Sequence, residues 1–243
     1  MTQHVGDGGL LSVFADNVKK YGQEINKEQL DVAQERLINF EGECGDTLQK
    51  PAFLNKRFEC IMANPPFSIK WEPLENDIRF KVAPVIPPQG KADYAFLLHI
   101  IHFLSEKGIA ITLNFPGILY RGQREGKIRQ WLIEKNYIER IVNIPENTFV
   151  DTKIATALVI LNKSKTTTDI VFEDKETKQE RTVSLEEVRE NGYVLSVNTY
   201  IKLESKQEEV DPWELEQQAR KNMLMSLQRD LEMEKWVCDY ERI

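Results

Sequence analysis

Short apolar runs alternate with segments of helical periodicity along most of this 243-residue chain. The apolar runs, which are typical of buried strands, lie at about 58–63, 109–114, 138–144 and 155–161. Helices are predicted between them at about 93–107 and 123–136. Strands and helices that alternate in this way form α/β domains, so we predict a doubly wound, mostly parallel sheet.

Further elements flank this predicted sheet. A short strand ending at Glu24 leads into a helix with Asn26 as its N-cap. Residues 72–91 are rich in proline and lack periodicity, and loops of this length are usually functional or mobile. Beyond Ser164 the chain becomes charged and rich in threonine, which favours short strands around 170–172 and 181–184.

A stripe of apolar residues at helical spacing follows Pro212 and predicts a C-terminal helix. This stripe comprises Trp213, Leu215, Met223, Leu224, Leu227, Leu231 and Trp236. The helix either folds onto its own domain or docks on another subunit. We therefore divide the chain into a catalytic core at 1–163, a small extension at 164–210 and an interaction helix at 211–243.

The composition limits the possible partners. A net charge of −7 argues against strong DNA binding by this chain alone, because non-specific affinity depends on Lys and Arg contacts to phosphates. No apolar stretch predicts a membrane span or signal peptide, so we expect a cytoplasmic location and no membrane contact. Cys44, Cys60 and Cys238 are widely separated and include no CxxC pair, which argues against a disulfide framework or a zinc site.

The tetrapeptide Asn64-Pro65-Pro66-Phe67 follows the apolar run that ends at Ala63. In an open α/β sheet, ligands bind beyond the carboxyl ends of the strands, which is where this turn is expected. The prolines stiffen the turn and leave its carbonyl groups free to accept hydrogen bonds. If the Asn64 side chain and the Pro65 carbonyl both accept from an exocyclic amine, its lone pair can attack an electrophilic methyl group while Phe67 stacks on the base. The alternative is an ordinary turn after a strand.

Several other segments carry a recognisable pattern in the same order and spacing: 21–26 (YGQEIN), 45–48 (GDTL), 63–71 (ANPPFSIKW), 115–122 (FPGILYRG), 128–133 (IRQWLI) and 152–161 (TKIATALVIL). They resemble the M subunit of type I restriction-modification systems, the adenine-N6 DNA methyltransferases. The resemblance covers about residues 6–163. It implies a sheet of the S-adenosylmethionine-dependent methyltransferase type, S-adenosylmethionine as the cofactor, and double-stranded DNA reached through a specificity subunit.

Five residues are candidates for cofactor contacts. Gly6 and Gly8 match the end of the family's glycine-rich motif. Glu24 fits the acidic residue that binds ribose hydroxyls after a second strand, unless it is simply a solvated glutamate. The resemblance places Asp46 beside the cofactor adenine, with Thr47 shaping the same pocket. The alternative is a turn that the Asp46 side chain caps.

Only residues 1–5 precede the glycine motif, where the family has a strand and, further upstream, a large helical domain. The resemblance therefore implies an N-terminally truncated core that lacks its central strand and exposes a long unpaired edge. The expected partners are the specificity and restriction subunits, with a separate N-terminal fragment as a further candidate.

Two other groups of side chains are candidates for a functional role. His99 and His102 lie three residues apart on a predicted helix, but no acidic third ligand accompanies them. We therefore predict packing in the core or at its boundary rather than metal binding. Basic residues around the start of the next helix either contact phosphates or are simply solvated; they are Arg121, Arg124, Lys127 and Arg129.

Three functions compete. The leading hypothesis is methyl transfer from S-adenosylmethionine to N6 of a flipped adenine, by the modification subunit of a type I system. The second is a non-catalytic fragment or remnant that acts only through partner binding, which the short N-terminal segment favours for this chain in isolation. The third is an RNA or protein-glutamine methyltransferase, because related Asn-Pro-Pro-aromatic sites serve those amines and amides. The segments 45–48 and 64–71 favour DNA over this third alternative.

Overall fold

The computed structural model describes residues 1–2, 5–148 and 154–201, together with helical positions 213, 216, 217, 220, 221, 223 and 225. Residues 1–202 form one compact unit and residues 203–243 form a second. The strands of the first unit are β1 (Lys20–Glu24), β2 (Phe40–Cys44), β3 (Phe58–Ala63), β4 (Leu104–Asn114), β5 (Ile138–Ile144), β6 (Thr156–Asn162), β7 (Ile170–Asp174) and β8 (Gln179–Val183). Its α-helices are α1 (Lys27–Arg36), α2 (Ile78–Lys81), α3 (Asp93–Phe103), α4 (Gln123–Glu134), α5 (Leu185–Glu190) and α6 (Val197–Tyr200).

The strands form two sheets. β1 and β2 pair in parallel, and the other strands form a six-stranded sheet in the order β3-β4-β6-β5-β7-β8. The pairs β3/β4 and β5/β7 are parallel, whereas β6 runs antiparallel to β4 and β5, and β8 runs antiparallel to β7. The predicted α/β class is confirmed, but the sheet is mixed rather than mostly parallel. β8 follows β7 after only residues 175–178, a connection too short for a parallel crossover, so that pair is antiparallel.

Residues 1 and 2 lie between the two sheets. The Met62 N–H in β3 donates to the Met1 carbonyl at 2.9 Å. On the other side, Thr2 donates to the Tyr21 carbonyl at 3.1 Å and accepts from the Gln23 N–H in β1 at 3.3 Å. Two residues, rather than a full strand, therefore join β1 to β3 in the part of the chain that the structure describes.

Helix α3 lies at the centre of the hydrophobic core. Ten of its eleven residues are buried, and the exception is His102. A helix that is apolar on all sides is a core element rather than a surface one. The predicted continuation to residue 107 is wrong, because Leu104 already pairs with Phe58 as part of β4. His99 is fully buried and stacks on Phe103 with ring centroids 4.5 Å apart, which confirms its predicted place in the core.

The segment after residue 164 continues the six-stranded sheet. β7 and β8, which correspond to the strands predicted there, form an antiparallel hairpin, and β7 pairs with β5. In the second unit, the described positions are helical, and Arg220 pairs with Glu216 one turn away at 2.7 Å. The predicted boundary at 210/211 lies outside the described residues, as do the stripe positions Leu215, Leu224, Leu227, Leu231 and Trp236. Among the helices described, none has the length and apolar character of a membrane span.

Candidate functional site

The Asn64–Phe67 turn begins directly after the last residue of β3, as the sequence predicted. Pro65 is buried, Phe67 is half-buried and Asn64 is exposed. Among the described residues, no hydrogen bond engages the Asn64 side chain or the Pro65 carbonyl. Both acceptors that the amine-orienting hypothesis requires are therefore available to a ligand.

An open cleft of about 810 Å³ lies between this turn and the glycine loop. Gly6 lines the cleft from the loop, Glu24 lines it from the end of β1, and Asn64–Phe67 line it from β3. Gly8 does not line the cleft. Its φ of 86° lies in the left-handed region, and a Cβ there would be 2.9 Å from Leu37 Cδ1, so the backbone of this turn requires glycine.

Glu24 ties the glycine loop to the first helix. Its Oε2 accepts from the Gly6 N–H at 3.0 Å, and its Oε1 accepts from the Asn26 N–H, also at 3.0 Å. Only 4% of Glu24 is exposed, which excludes the alternative of a solvated glutamate. A carboxylate has about four lone-pair sites, so the two backbone bonds leave acceptor capacity for ribose hydroxyls.

A second cavity, of about 330 Å³, adjoins the cleft, because Ile25 and Pro66 line both. Its wall includes Asp46 and Thr47, the other two candidates for cofactor binding. Asp46 Oδ1 caps the local turn by accepting from the N–H groups of residues 48 and 49 at 2.8 and 3.1 Å. Within the described residues Oδ2 has no hydrogen bond, so capping and ligand binding would use different oxygen atoms of Asp46.

Arg79 supports the wall of this second cavity, and it was not identified from the sequence. The side chain is fully buried. Its Nη1 donates to the Thr47 carbonyl at 2.9 Å, and its Nη2 donates to the Leu48 carbonyl at 2.6 Å. Nε and Nη2 also donate to the Asp77 carboxylate at 3.0 and 2.7 Å. One guanidinium thus holds two successive carbonyl groups of the 45–48 segment.

The hydrogen bonds of Arg79 also bear on the protonation of His99 and the pKa of Asp77. Arg79 Nη1 lies 2.7 Å from His99 Nδ1, and a guanidinium can only donate, so Nδ1 is the acceptor and the His99 ring is neutral. Burial acts to raise the pKa of Asp77, but hydrogen bonds and charge from Arg79 outweigh burial and lower it. The sequence signal was weak, because Arg79 lies in the proline-rich segment between Ile78 and Phe80 without a recognisable motif.

The histidines form no metal site in the described part of the chain. Across the described ranges, no three or more His, Cys, Asp or Glu side chains are arranged to hold a metal ion. His102 Nε2 lies 3.5 Å from Arg57 Nη2, and both burial and the positive charge of Arg57 lower the pKa of His102. His102 therefore lies at the boundary of the core, as predicted.

The four basic candidates for phosphate contacts differ in how exposed their side chains are. Arg129 is buried, and its guanidinium donates to three backbone carbonyls, at 3.1, 2.7 and 2.7 Å, those of Ile118, Arg121 and Tyr193. The suggested phosphate contact is therefore wrong for Arg129, whose donors hold the chain around α4. Arg124 and Lys127 are exposed, and Arg121 is mostly buried beside acidic groups.

Comparisons with known proteins agree with this architecture. The chain matches the N-6 DNA methylase family over residues 12–182. It is 30% identical over 245 residues to the type I restriction enzyme MpnII methylase subunit of Mycoplasma pneumoniae, covering 80% of this chain and 45% of that protein. The HindI methylase subunit of Haemophilus influenzae is 33% identical over 160 residues, covering 62% of this chain and 36% of that protein. The chain thus spans about half the length of these curated relatives, or less.

A solved structure supports the same assignment. The type I restriction-modification methyltransferase subunit from Streptococcus thermophilus superposes with a TM-score of 0.76 at 28% identity, covering 83% of this chain and 54% of that chain. The resemblance to type I modification subunits inferred from the sequence is therefore confirmed. Because the family match extends over more than half of its residues, the chain belongs to the N-6 DNA methylase family.

Proposed function

We propose that this chain provides the methyl-transfer site of an adenine-N6 DNA methyltransferase, the modification subunit of a type I restriction-modification system. The observation that carries the proposal is the position of two available acceptors, the Asn64 side-chain oxygen and the Pro65 carbonyl. Both belong to residues that line the same cleft as Gly6 and Glu24. The match to a DNA methylase family favours DNA over the RNA and protein-glutamine alternatives.

S-adenosylmethionine fits the two adjoining cavities in its chemistry. The Glu24 carboxylate, which already accepts from two backbone N–H groups, would accept ribose hydroxyls beside Gly6. Asp46 would accept from the exocyclic amine of the cofactor adenine, in the cavity that Thr47 and Trp71 also line. When bound, the cofactor supplies a methyl group on a positively charged sulfur.

The turn after β3 would prepare the target amine. The Asn64 side chain and the Pro65 carbonyl each accept one N–H of the adenine N6 group, which withdraws the nitrogen lone pair from conjugation with the ring. Phe67 stacks on the flipped base. The acceptors belong to a stiff turn and need little rearrangement in the transition state. As the nitrogen–carbon bond forms, the bond between the methyl group and sulfur would break and leave a neutral thioether, and the methylated amine would release one proton to solvent.

A single substitution tests this assignment. In the chain reconstituted with its specificity subunit, Asn64→Ala should abolish transfer of radiolabelled methyl groups to DNA. Calorimetric titration should show S-adenosylmethionine binding largely unchanged. Asn55→Ala is the matched control, because Asn55 is exposed and lines neither cavity. Methylation at the wild-type rate by Asn64→Ala would contradict the proposal.

The partners follow from the same assignment. The relatives are methylase subunits of type I restriction enzymes, which favours the specificity and restriction subunits as partners and double-stranded DNA as the substrate. The net charge of −7 supports a separate subunit as the source of most phosphate contacts. A separate N-terminal fragment is a further candidate, and a complex of this kind would act in the cytoplasm.

A further inference from the structure

The prolines fix φ in the Asn64–Phe67 turn, but hydrogen bonds within the turn contribute little to holding it in place. Two of its residues are prolines, which have no N–H group to donate. Among the described residues, the acceptors of Asn64 and Pro65 take no hydrogen bond. One end of the turn is fixed by β3. The orientation of Phe67 must therefore depend on how the chain is held immediately after the turn.

Ser68, the next residue, has an unusual backbone conformation. Its φ is 51°, in the left-handed region that non-glycine residues rarely adopt. Its N–H donates to Asp93 Oδ1 at 2.9 Å, and its hydroxyl lies 3.2 Å from Asp93 Oδ2. The adjacent Ile69 carbonyl accepts from the Ala92 N–H at 2.9 Å. Two consecutive residues after the turn are thus held against the first turn of α3.

Asp93 is well suited to fix this conformation. It is 3% exposed and is the first residue of the almost entirely buried helix α3, so its carboxylate has little freedom to move. Arg121 lies beside it, with Nη1 at 3.4 Å from Asp93 Oδ2 and Nη2 at 3.2 Å from the Ser68 hydroxyl. Arg121 therefore balances the buried charge of Asp93 and contacts Ser68.

We propose that Asp93 is a positioning residue of the methyl-transfer site, which holds Ser68 in its left-handed conformation and so fixes Phe67 where the target base stacks. The proposal rests on the proposed function. Asp93 touches neither the base nor the cofactor in this scheme, and acts only through the Ser68 backbone. A purely structural alternative is that Asp93 stabilises the N-terminus of α3 through the helix dipole.

Substitutions at Ser68 separate these two roles. Glycine adopts left-handed φ values without cost, whereas a β-branched residue avoids them. Ser68→Val should therefore disturb Phe67 although Asp93 is intact, and its KM for target DNA should exceed that of Ser68→Gly by at least about tenfold. Asp93→Ala should raise the KM similarly, and adding Ser68→Gly to Asp93→Ala should restore part of the loss. A role confined to the helix dipole predicts no such rescue.

The experiment uses the chain in its complex with the specificity subunit. The measurements are kcat and KM for target DNA, fluorescence of 2-aminopurine at the target base, S-adenosylmethionine affinity and thermal unfolding. We expect the DNA and fluorescence values to change, and the cofactor affinity to stay within about twofold, because Asp93 lines neither cofactor cavity. Asp31→Ala is the control, because Asp31 is an exposed helical aspartate.

A spectroscopic readout does not depend on activity. With 4-fluorophenylalanine at position 67, the native complex should give one sharp ¹⁹F resonance, and Asp93→Ala and Ser68→Val should give broadened or multiple resonances. Native spectra and native KM values in folded Ser68→Val would overturn the proposal, as would failure of Ser68→Gly to rescue folded Asp93→Ala. If Asn64→Ala also methylates normally, the proposed function fails, while the ¹⁹F spectra still report on the role of Asp93.

Discussion

Replacing Arg79 with methionine should destabilise the fold and weaken cofactor binding together. Methionine keeps the apolar packing but supplies no donor to the Thr47 and Leu48 carbonyls, which Arg79 contacts at 2.9 and 2.6 Å. It also removes the cation from Asp77, whose side chain is 17% exposed. Removing one partner of a buried ion pair costs about 3–5 kcal/mol. We expect the free energy of unfolding to fall by that amount, a large fraction of the total for a domain.

Urea denaturation of the chain, followed by circular dichroism, measures this loss. Arg79→Lys should fall between wild type and Arg79→Met, because one ammonium group cannot reproduce the planar fork that reaches both carbonyls and the carboxylate. Arg124→Met is the matched control, since Arg124 is exposed. A loss below about 1 kcal/mol for Arg79→Met would refute the reasoning, because such a value is typical of a surface ion pair.

Cofactor affinity is the second part of the same prediction. Calorimetric titration well below the urea transition should show weaker S-adenosylmethionine binding by Arg79→Met, because the 45–48 segment would lose two of its anchors to the core. A variant that is destabilised but binds the cofactor normally would show that Arg79 supports the fold without shaping the cavity.

Three further predictions concern the target base, acid stability and DNA affinity. Phe67→Ala should weaken capture of the flipped base by about 1–3 kcal/mol, measured as target-base fluorescence in the complex. Folding lowers the pKa of Asp77 from its ordinary value of 3.8. The Asp77 carboxylate therefore stabilises the fold fully above pH 3.8, and this stabilisation is lost as the pH falls through the lowered pKa. In Arg79→Met, burial should instead raise this pKa, so acid titration of unfolding should show the Asp77 contribution change sign. Mobility-shift assays should show weak DNA binding by the isolated chain and tighter binding with the specificity subunit.

The sequence predicted the strands whose residues are mostly apolar. β3, β5 and β6 were placed to within a residue, and Asn26 caps α1 by accepting from the N–H groups of residues 28 and 29. β2 was missed because Phe40–Cys44 contains two glutamates and a glycine, and none of its residues is fully buried. Its pairing with β1 comes from tertiary contact rather than from intrinsic strand preference.

The sequence predicted only those site residues that belong to short local motifs. The Asn64–Phe67 motif and the Gly6 and Glu24 positions are local patterns, and the structure brings them to one cleft. Arg79 and Asp93 lie outside such patterns. Their contacts join residues 31 or 32 positions apart for Arg79 and 25 positions apart for Asp93. No periodicity or spacing rule relates residues so far apart, so these roles emerge only from the folded chain.

The three segments of the candidate site share one physical problem and one solution. A loop that the folded protein does not hold must be ordered at the moment of binding, which costs about 1–2 kcal/mol per residue. In each case a buried charged side chain bonds the loop backbone: Glu24 holds Gly6, Arg79 holds the 45–48 segment, and Asp93 holds Ser68. Ordering is therefore completed during folding rather than during binding. Substitution of Arg79 should consequently alter stability and cofactor binding, and substitution of Asp93 should alter stability and capture of the target base, while Asn64→Ala should alter the chemical step with cofactor binding largely unchanged.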